Sequence, residues 1–333
     1  MPQLCPILNK TDEAILAILR SNHREEFVSG AEIAAELGIS RTAVWKHLNR
    51  LRNAGYQLES ERFLGYKLVG TPDLLLAPEI KEGLQTSRFG HVVVAYGETG
   101  STNDDAAAIA SVGGEEGTLV VAESQSSGRG RLGRRWASRP GVGIWASLVL
   151  RPNIPPRYTA RLTIVASVSV AEVLRSHAGL DAVIEWPNDV TVAGRKLCGI
   201  LTELVAEQDR VEFGIVGIGI NVNHTERSFP RHLRDTATSI FIETGKRANR
   251  VELLQRFLEQ FERDYELFKT KGFEPLRRRW RSLSYTLGKR VTCESGDTTL
   301  VGVAQDLGPD GALVVRTDAG KKVNVVSGDV RCL

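Results

Sequence analysis

The 333-residue sequence predicts an α+β protein in three parts, and three observations carry that prediction. Residues 1–70 show three short helical patterns followed by two strand-like runs. Residues 89–283 show six strand-like runs that helices do not separate one by one, which argues for a mixed or antiparallel sheet rather than a doubly wound one. Residues 284–333 show short apolar runs divided by Ser295-Gly296-Asp297, Pro309-Asp310-Gly311 and Asp318-Ala319-Gly320, the turn spacing of a small β barrel. Thr71-Pro72-Asp73 breaks the periodicity between the first two parts, so 71–88 reads as a linker.

In the first part, Thr11-Asp12 opens a helix whose apolar stripe is Ile15, Leu16, Ile18 and Leu19. Ser29 and Glu32 form a capping box for a second helix, which Gly38 stops. Ser40 caps a third helix running to about Asn53, with Val44, Leu48 and Leu51 on its core face. Its other face carries Arg41, Thr42, Trp45, Lys46, Asn49 and Arg50. A hairpin follows, with Leu58 on one strand and Tyr66 and Leu68 on the other. Two helices around a glycine turn, then a hairpin, are the layout of a winged helix–turn–helix. Arg41, Lys46, Arg50 and Arg52 place four cations between 41 and 52 with no acid among them, which suits phosphates, while Thr42, Trp45 and Asn49 suit base edges.

In the middle part the strand-like runs are 91–98, 118–123, 143–150, 182–186, 197–205 and 211–220, and the helical patterns are 102–110, 158–177 and 250–271. The overall charge of +3 excludes a bulk polycation, so any nucleic-acid surface is local. Cysteines 5, 198, 293 and 332 form no C-x-x-C and have no histidine at ligand spacing, which argues against a zinc module or a disulfide scaffold. No run of 18 apolar residues occurs and MPQLCPILNK lacks a signal-peptide layout, so a cytoplasmic protein with no membrane partner is expected.

One segment stands out chemically. Gly128-Arg129-Gly130-Arg131-Leu132-Gly133-Arg134-Arg135-Trp136 formally matches G-x-G-x-x-G, but the turn-like Ala137-Ser138-Arg139-Pro140-Gly141 follows instead of a helix, and no acid stands 20 residues on. A dinucleotide site is therefore rejected. Glycines let the backbone approach a ligand, and arginines clamp carboxylate or phosphate. Four like charges between 128 and 135 repel one another, so the segment is expected to be mobile when empty and ordered when filled.

Other segments look like site material. Gly100-Ser101-Thr102-Asn103 joins a strand to a helix, Trp186-Pro187-Asn188-Asp189 ends a strand, Lys196 sits at a strand mouth, and Gly217-Ile218-Gly219-Ile220-Asn221 leaves a strand end open to close approach. No G-x-x-x-x-G-K-[ST], G-x-S-x-G or H-E-x-x-H occurs.

Together these motifs, in this order, resemble the family of bifunctional biotin–protein ligases and biotin operon repressors: Gly128-Arg129-Gly130-Arg131-x-Gly133-Arg134-x-Trp136, then Trp186-Pro187-Asn188-Asp189, then Lys196-Leu197-x-Gly199-Ile200-Leu201. The resemblance implies a winged-helix domain at 1–70, a class II synthetase-like ligase core at 89–283 and an SH3-like domain at 284–333. It implies biotin, ATP and Mg²⁺, with no metal ligands assigned on the protein. The partners it implies are a biotin carboxyl carrier protein, operator DNA and a second copy of the chain when biotinyl-5′-AMP is bound. By position, Ser101, Thr102, Asn103 and Gln125 match residues holding the biotin ring end. Arg129, Gly130 and Arg131 match the loop over carboxylate and phosphate, and Lys196 matches the lysine beside the reacting carboxylate. Arg129, Arg131 and Lys196 are thus the implied catalytic set, and Trp136, Asn188 and Asn221 fall at the nucleotide. The family places a basic residue before Trp-Pro-Asn-Asp; this sequence has Glu185. A lipoate–protein ligase and a ligand-sensing regulator without catalysis are the competing readings.

Overall fold

The computed structural model describes residues 3–4, 8–21, 26–207, 210–295 and 298–333; Cys5 and the Gly296-Asp297 pair of one expected turn lie outside them. The elements in chain order begin with β1 (Gln3–Leu4), α1 (Lys10–Ser21), α2 (Gly30–Leu37), α3 (Arg41–Asn53), β2 (Gln57–Glu61) and β3 (Gly65–Gly70).

The capping box at Ser29 and Glu32 is formed in both directions, Gly38 ends α2 at φ +64°, and Ser40 Oγ accepts from Ala43 N at 3.1 Å. The start of α1 differs from the expectation. Asn9, not Thr11, is the cap: its Oδ1 accepts from the N–H groups of Thr11 and Asp12, both at 3.0 Å. Asp12 is fully buried instead, bonded to Asn9 N at 2.8 Å, His47 Nδ1 at 2.7 Å and Arg50 Nη1 at 3.0 Å. Ile15, Leu16, Ile33, Val44, Leu48 and Leu51 fill the small core beneath.

The segment 71–88 is not a bare linker. It contains α4 (Ala77–Lys81) and buries Leu75, Leu76 and Ile80. Pro78 lies in the first turn of α4, where its missing N–H costs nothing, so this proline starts a helix rather than breaking one. Asp73 pairs with Arg250, which is fully buried.

The central part holds β4 (Val93–Thr99), α5 (Thr102–Ser111), β5 (Leu119–Gln125), β6 (Gly143–Leu150), α6 (Ala160–Ala178), β7 (Val183–Glu185), β8 (Asp189–Val192), β9 (Arg195–Glu207) and β10 (Arg210–Asn221). It closes with α7 (Ile240–Thr244), α8 (Arg250–Lys271) and α9 (Glu274–Leu283). One sheet runs β1-β4-β5-β6-β10-β9-β8-β7, parallel between β4 and β5 and antiparallel elsewhere. This is the mixed sheet that the helix-poor strand spacing predicts. Strand β8 was not expected. Four residues are too short to show periodicity, and the turn into β9 is Ala193-Gly194, both at positive φ, without the usual Asn or Asp.

The sheet's two faces follow from period-2 alternation. Val216, Ile218 and Ile220 of β10 join the large core under α6 and α8. Phe213 and Ile215 face the other way, against Ala106 and Ala110 of α5. On that α5 face β10 continues as Gly217, Gly219 and Asn221, so the sheet floor is bare beyond the end of α5.

The last part comprises β11 (Arg290–Ser295), β12 (Thr298–Leu307), β13 (Leu313–Thr317), β14 (Lys322–Val325) and β15 (Asp329–Cys332), in the order β14-β13-β12-β11-β15. The expected small β domain is thus built from one five-stranded antiparallel sheet, with β14 and β15 at the two ends of the strand order. It shares the central core: Ala304, Leu307 and Leu313 pack in the same cluster as Leu276 and Trp280. The Trp186 indole donates to the Gly311 carbonyl at 3.1 Å.

Candidate functional site

The eleven residues expected at the ligand site, from Ser101 to Asn221, all line one cavity of about 620 Å³ on the bare part of the α5 face. Its floor exists because three glycines carry no side chain there. An added carbon at Gly219 would lie 2.5 Å from the Trp136 ring, one at Gly199 would lie 2.7 Å from it, and one at Gly217 would lie 2.1 Å from Asn103 Oδ1. Trp136 therefore rests flat on strand backbone, with its Nε1 buried and unpartnered.

The end of the cavity beside α5 is a closed hydrogen-bond chain. Ser101, Thr102 and Asn103 are nearly fully buried at the start of α5. Gln125 Oε1 accepts from Thr102 N at 2.8 Å and from Thr102 Oγ1 at 3.1 Å. Ser147 Oγ lies 2.8 Å from Thr102 Oγ1 and 2.6 Å from Asn103 Oδ1. Ser147 was missed in the sequence, although a serine in the apolar run Gly143–Leu150 is a usable signal.

The arginine segment arches over the cavity. Two of its four charges, those of Arg129 and Arg134, meet acids that the fold brings from distant positions. Arg129 Nη1 binds Asp104 at 2.5 Å and its Nη2 binds Glu203 at 2.9 Å. Arg134 pairs with Asp329 of β15, and Arg131 donates to Asn188 Oδ1 at 3.1 Å and to the Gly328 carbonyl at 3.2 Å. Repulsion among the segment's own charges is thus relieved by acids that lie outside it in sequence. The hydrogen bond to Asp104 holds the Arg129 pKa above its ordinary value. Burial pulls that of Arg131 below its own, with Asp189 opposing.

At the opposite end, Lys196 Nζ lies 2.7 Å from Asp189 Oδ2 and 5.2 Å from the centre of the Trp136 ring. Asp189 Oδ1 is buried and has no partner. Asn188 Nδ2 donates to the Ile200 carbonyl at 2.9 Å, and Asn221 is buried beside the Lys196 carbonyl. Glu185 stands opposite Asp189 in strand register, and burial together with that neighbour raises its carboxyl pKa. Trp186 is 2% exposed, and its indole anchors the last domain. Among the described residues no three His, Cys, Asp or Glu side chains are grouped to hold a metal. The buried Cys198 thiol is pushed up by desolvation and stays neutral, so it is no nucleophile.

The second candidate surface is α3. Arg41, Thr42, Trp45 and Lys46 are exposed, Trp45 by 55%. Two residues of the expected face are engaged elsewhere. Arg50 is the counter-ion of buried Asp12, and Asn49 Oδ1 accepts from Arg52 at 3.2 Å. The wing tip adds Arg62, Phe63 and Leu64, all exposed, which the sequence reading did not single out.

Residues 99–221 match the Biotin/lipoate A/B protein ligase family, 12–67 an HTH domain and 286–331 the Biotin protein ligase C terminal domain. The chain is 41% identical over 312 residues to Bifunctional ligase/repressor BirA of Bacillus subtilis (strain 168), covering 94% of this chain and 96% of that one. It is 31% identical to the protein of the same name from Escherichia coli (strain K12), covering 88% and 89% of the two chains. The biotin protein ligase from Aquifex aeolicus solved in complex with biotin and ATP superposes with a TM-score of 0.64 at 31% identity, covering 73% of this chain and all of that one. With three domain matches in this order and a relative of this identity aligned along nearly the whole of both chains, the chain belongs to the family of bifunctional biotin–protein ligase/repressors.

Proposed function

We propose that this protein activates biotin with ATP and transfers it to a lysine of a biotin carboxyl carrier protein, and that its adenylate-bound form represses a biotin operon. One observation carries the ligase reading. A single cavity joins a buried polar end at Ser101–Asn103 and Gln125 to a cationic end at Arg131 and Lys196, with Trp136 laid over a glycine floor.

The polar end suits the ureido ring, and the arginine segment suits the carboxylate and phosphates. A biotin carboxylate oxygen attacks the ATP α-phosphorus, the bond to pyrophosphate breaks, and biotinyl-5′-AMP forms. Arg131 and Lys196 stabilise the charge that builds on the α-phosphate, and Arg129 braces the segment that carries Arg131. The carrier lysine amine then attacks the acyl carbon and AMP leaves. No covalent enzyme intermediate is needed, and positioning with electrostatics does the chemistry. The orphaned Asp189 Oδ1 fits Mg²⁺ arriving with the nucleotide, which when bound neutralises phosphate charge. Trp136, Asn188 and Asn221 serve the nucleotide end.

For the repressor role, Arg41, Thr42, Trp45 and Lys46 offer a single small footprint. Over 1–70 nine Lys/Arg face eight Asp/Glu, so the affinity must be local. Strong operator binding then needs two copies on two half-sites. We place dimerisation at the ligase cores, favoured when the adenylate fills the cavity. By linkage, DNA tightens adenylate binding by the same factor. Carrier and operator both put this work in the cytoplasm.

Biotin-dependent ATP–pyrophosphate exchange followed by labelling of a carrier-domain lysine tests the ligase. Exchange with lipoate and not biotin would overturn it in favour of a lipoate ligase, and no exchange at all would leave a sensing regulator. Sedimentation equilibrium with and without biotin and ATP tests the dimer, and equal association constants would remove the corepressor role.

A further inference from the structure

Glu203 stands behind the cavity rather than in its lining, yet two lining side chains end on it. It lies on β9 on the same face as Gly199 and Leu201, with β10 alongside. Its Oε2 accepts from Asn103 Nδ2 at 2.6 Å, and both its oxygens lie 2.9 Å from Arg129 Nη2. The Asn103 amide has two N–H groups, and both are used: the second donates to the Leu201 carbonyl at 3.3 Å. On the other side the Ser147 hydroxyl donates to Asn103 Oδ1 at 2.6 Å. Turning the amide over would set its oxygen against a carboxylate and a carbonyl. Its orientation is therefore fixed, and what remains for a ligand is the second lone pair of Oδ1.

We infer that Glu203 is a positioning residue that makes Asn103 a pure acceptor and tethers Arg129 to the same carboxylate, so that the cavity selects a ligand ring bearing an N–H donor. A cyclic urea has that donor; a dithiolane ring has none. The inference rests on the biotin-ligase reading above and adds to it the side chain that sets the ring preference. Glu203 touches no reacting atom. The sharing of one carboxylate also couples the ring end of the cavity to the arginine segment, because any change at Glu203 is felt by Asn103 and Arg129 together.

The test compares Glu203→Ala and Glu203→Gln in the full chain by pyrophosphate exchange, titrating biotin and ATP separately. Glu203→Ala should raise the KM for biotin by about tenfold while the KM for ATP stays within about twofold, since one oriented hydrogen bond is lost at the ring end and Arg129, though freer, keeps its other acid, Asp104. Glu203→Gln, whose amide oxygen still accepts from Asn103, should restore the biotin KM to within roughly threefold of wild type. An unchanged biotin KM in Glu203→Ala overturns the inference. So does a parallel rise of both KM values with a lowered melting temperature and no rescue by glutamine, the pattern of a merely structural residue. A second readout needs no substrate. In the ligand-free protein Glu203→Ala should speed trypsin cleavage after Arg129, and an unchanged rate overturns the tether. If the wild-type chain fails to exchange pyrophosphate with biotin, the ligase reading fails, and the trypsin rate still decides the tether.

Discussion

Gly219→Ala tests the cavity floor with the smallest possible change. The new methyl carbon would sit 2.5 Å from Trp136 Cε2 and 2.6 Å from its Nε1, where ordinary contact begins at 3.4 Å. The indole must retreat by about 0.9 Å, and overpacking of this kind costs roughly 1–3 kcal/mol. Trp145 stands edge-on at 6.3 Å between ring centroids, and the strand backbone lies below, so the ring moves into the cavity at the nucleotide end. Converted to affinity, 1–3 kcal/mol is a factor of about 5–150 in the KM for ATP. The proposed mode puts biotin at the other end, so its KM should change by less than about threefold, within the error of such small effects. The assay is pyrophosphate exchange with ATP titrated at saturating biotin, alongside a melting curve. A wild-type KM for ATP in a normally folded Gly219→Ala protein would refute the placement of Trp136 at the nucleotide.

Other outcomes follow from single contacts. Lys196→Ala should slow single-turnover adenylation by on the order of 10²-fold with little change in substrate binding, because the proposed mechanism sets its charge where phosphate charge develops; an unchanged rate returns Lys196 to a plain partner of Asp189. Arg41→Ala and Lys46→Ala should each flatten the salt dependence of operator binding by about one unit of slope without lowering the melting temperature. Arg50→Ala should lower the melting temperature as well, since it strips a counter-ion from the fully buried Asp12, and equal stabilities for all three would contradict that pairing. His224 is buried against Phe229, and desolvation lowers its pKa from 6.5 to about 4. Its unfolded form takes up a proton near pH 6.5 and its folded form does not until near 4, so stability is full above 6.5 and falls across that window by up to about 3 kcal/mol. His224→Phe should remove that part of the slope in melting temperature against pH.

Local signals were legible in the sequence wherever one residue type has one physical use. The Ser29–Glu32 box, Gly38 and Ser40 placed α2 and α3, and the runs 143–150 and 250–271 coincide with β6 and α8. The lining of the cavity was legible because its motifs are dense in glycine, arginine and amides. What escaped was whatever depends on a partner far along the chain. Nothing local distinguishes Asp12 as a buried carboxylate until His47 and Arg50 are folded against it. Asp104, Glu203 and Asp329 look like ordinary surface acids until the arginine segment reaches them. Pro72 and Asp73 looked like a break because the salt bridge that fixes Asp73 lies 177 residues away, at Arg250.

The fixed joint at α4 governs how the winged domain meets its operator. Glu79 accepts from Arg20 at 2.5 Å and from Tyr56 at 2.6 Å on one side. On the other side Gln255 donates to the carbonyls of Glu79 and Ile80 at 3.1 Å and of Glu82 at 2.7 Å. The reading head is thus bolted to α8 rather than strung on a tether. A tethered head searches for its groove and forgives uneven spacing; a bolted one arrives already aimed. In the paired form proposed above, the separation and phase of the two α3 helices are then set by the ligase cores alone. Each base pair inserted between half-sites rotates the second groove by about 34°, and a rigid pair has no slack with which to follow it. The operator of such a protein should therefore behave as a ruler, tolerant of changes in the bases between its halves and intolerant of a change in their number.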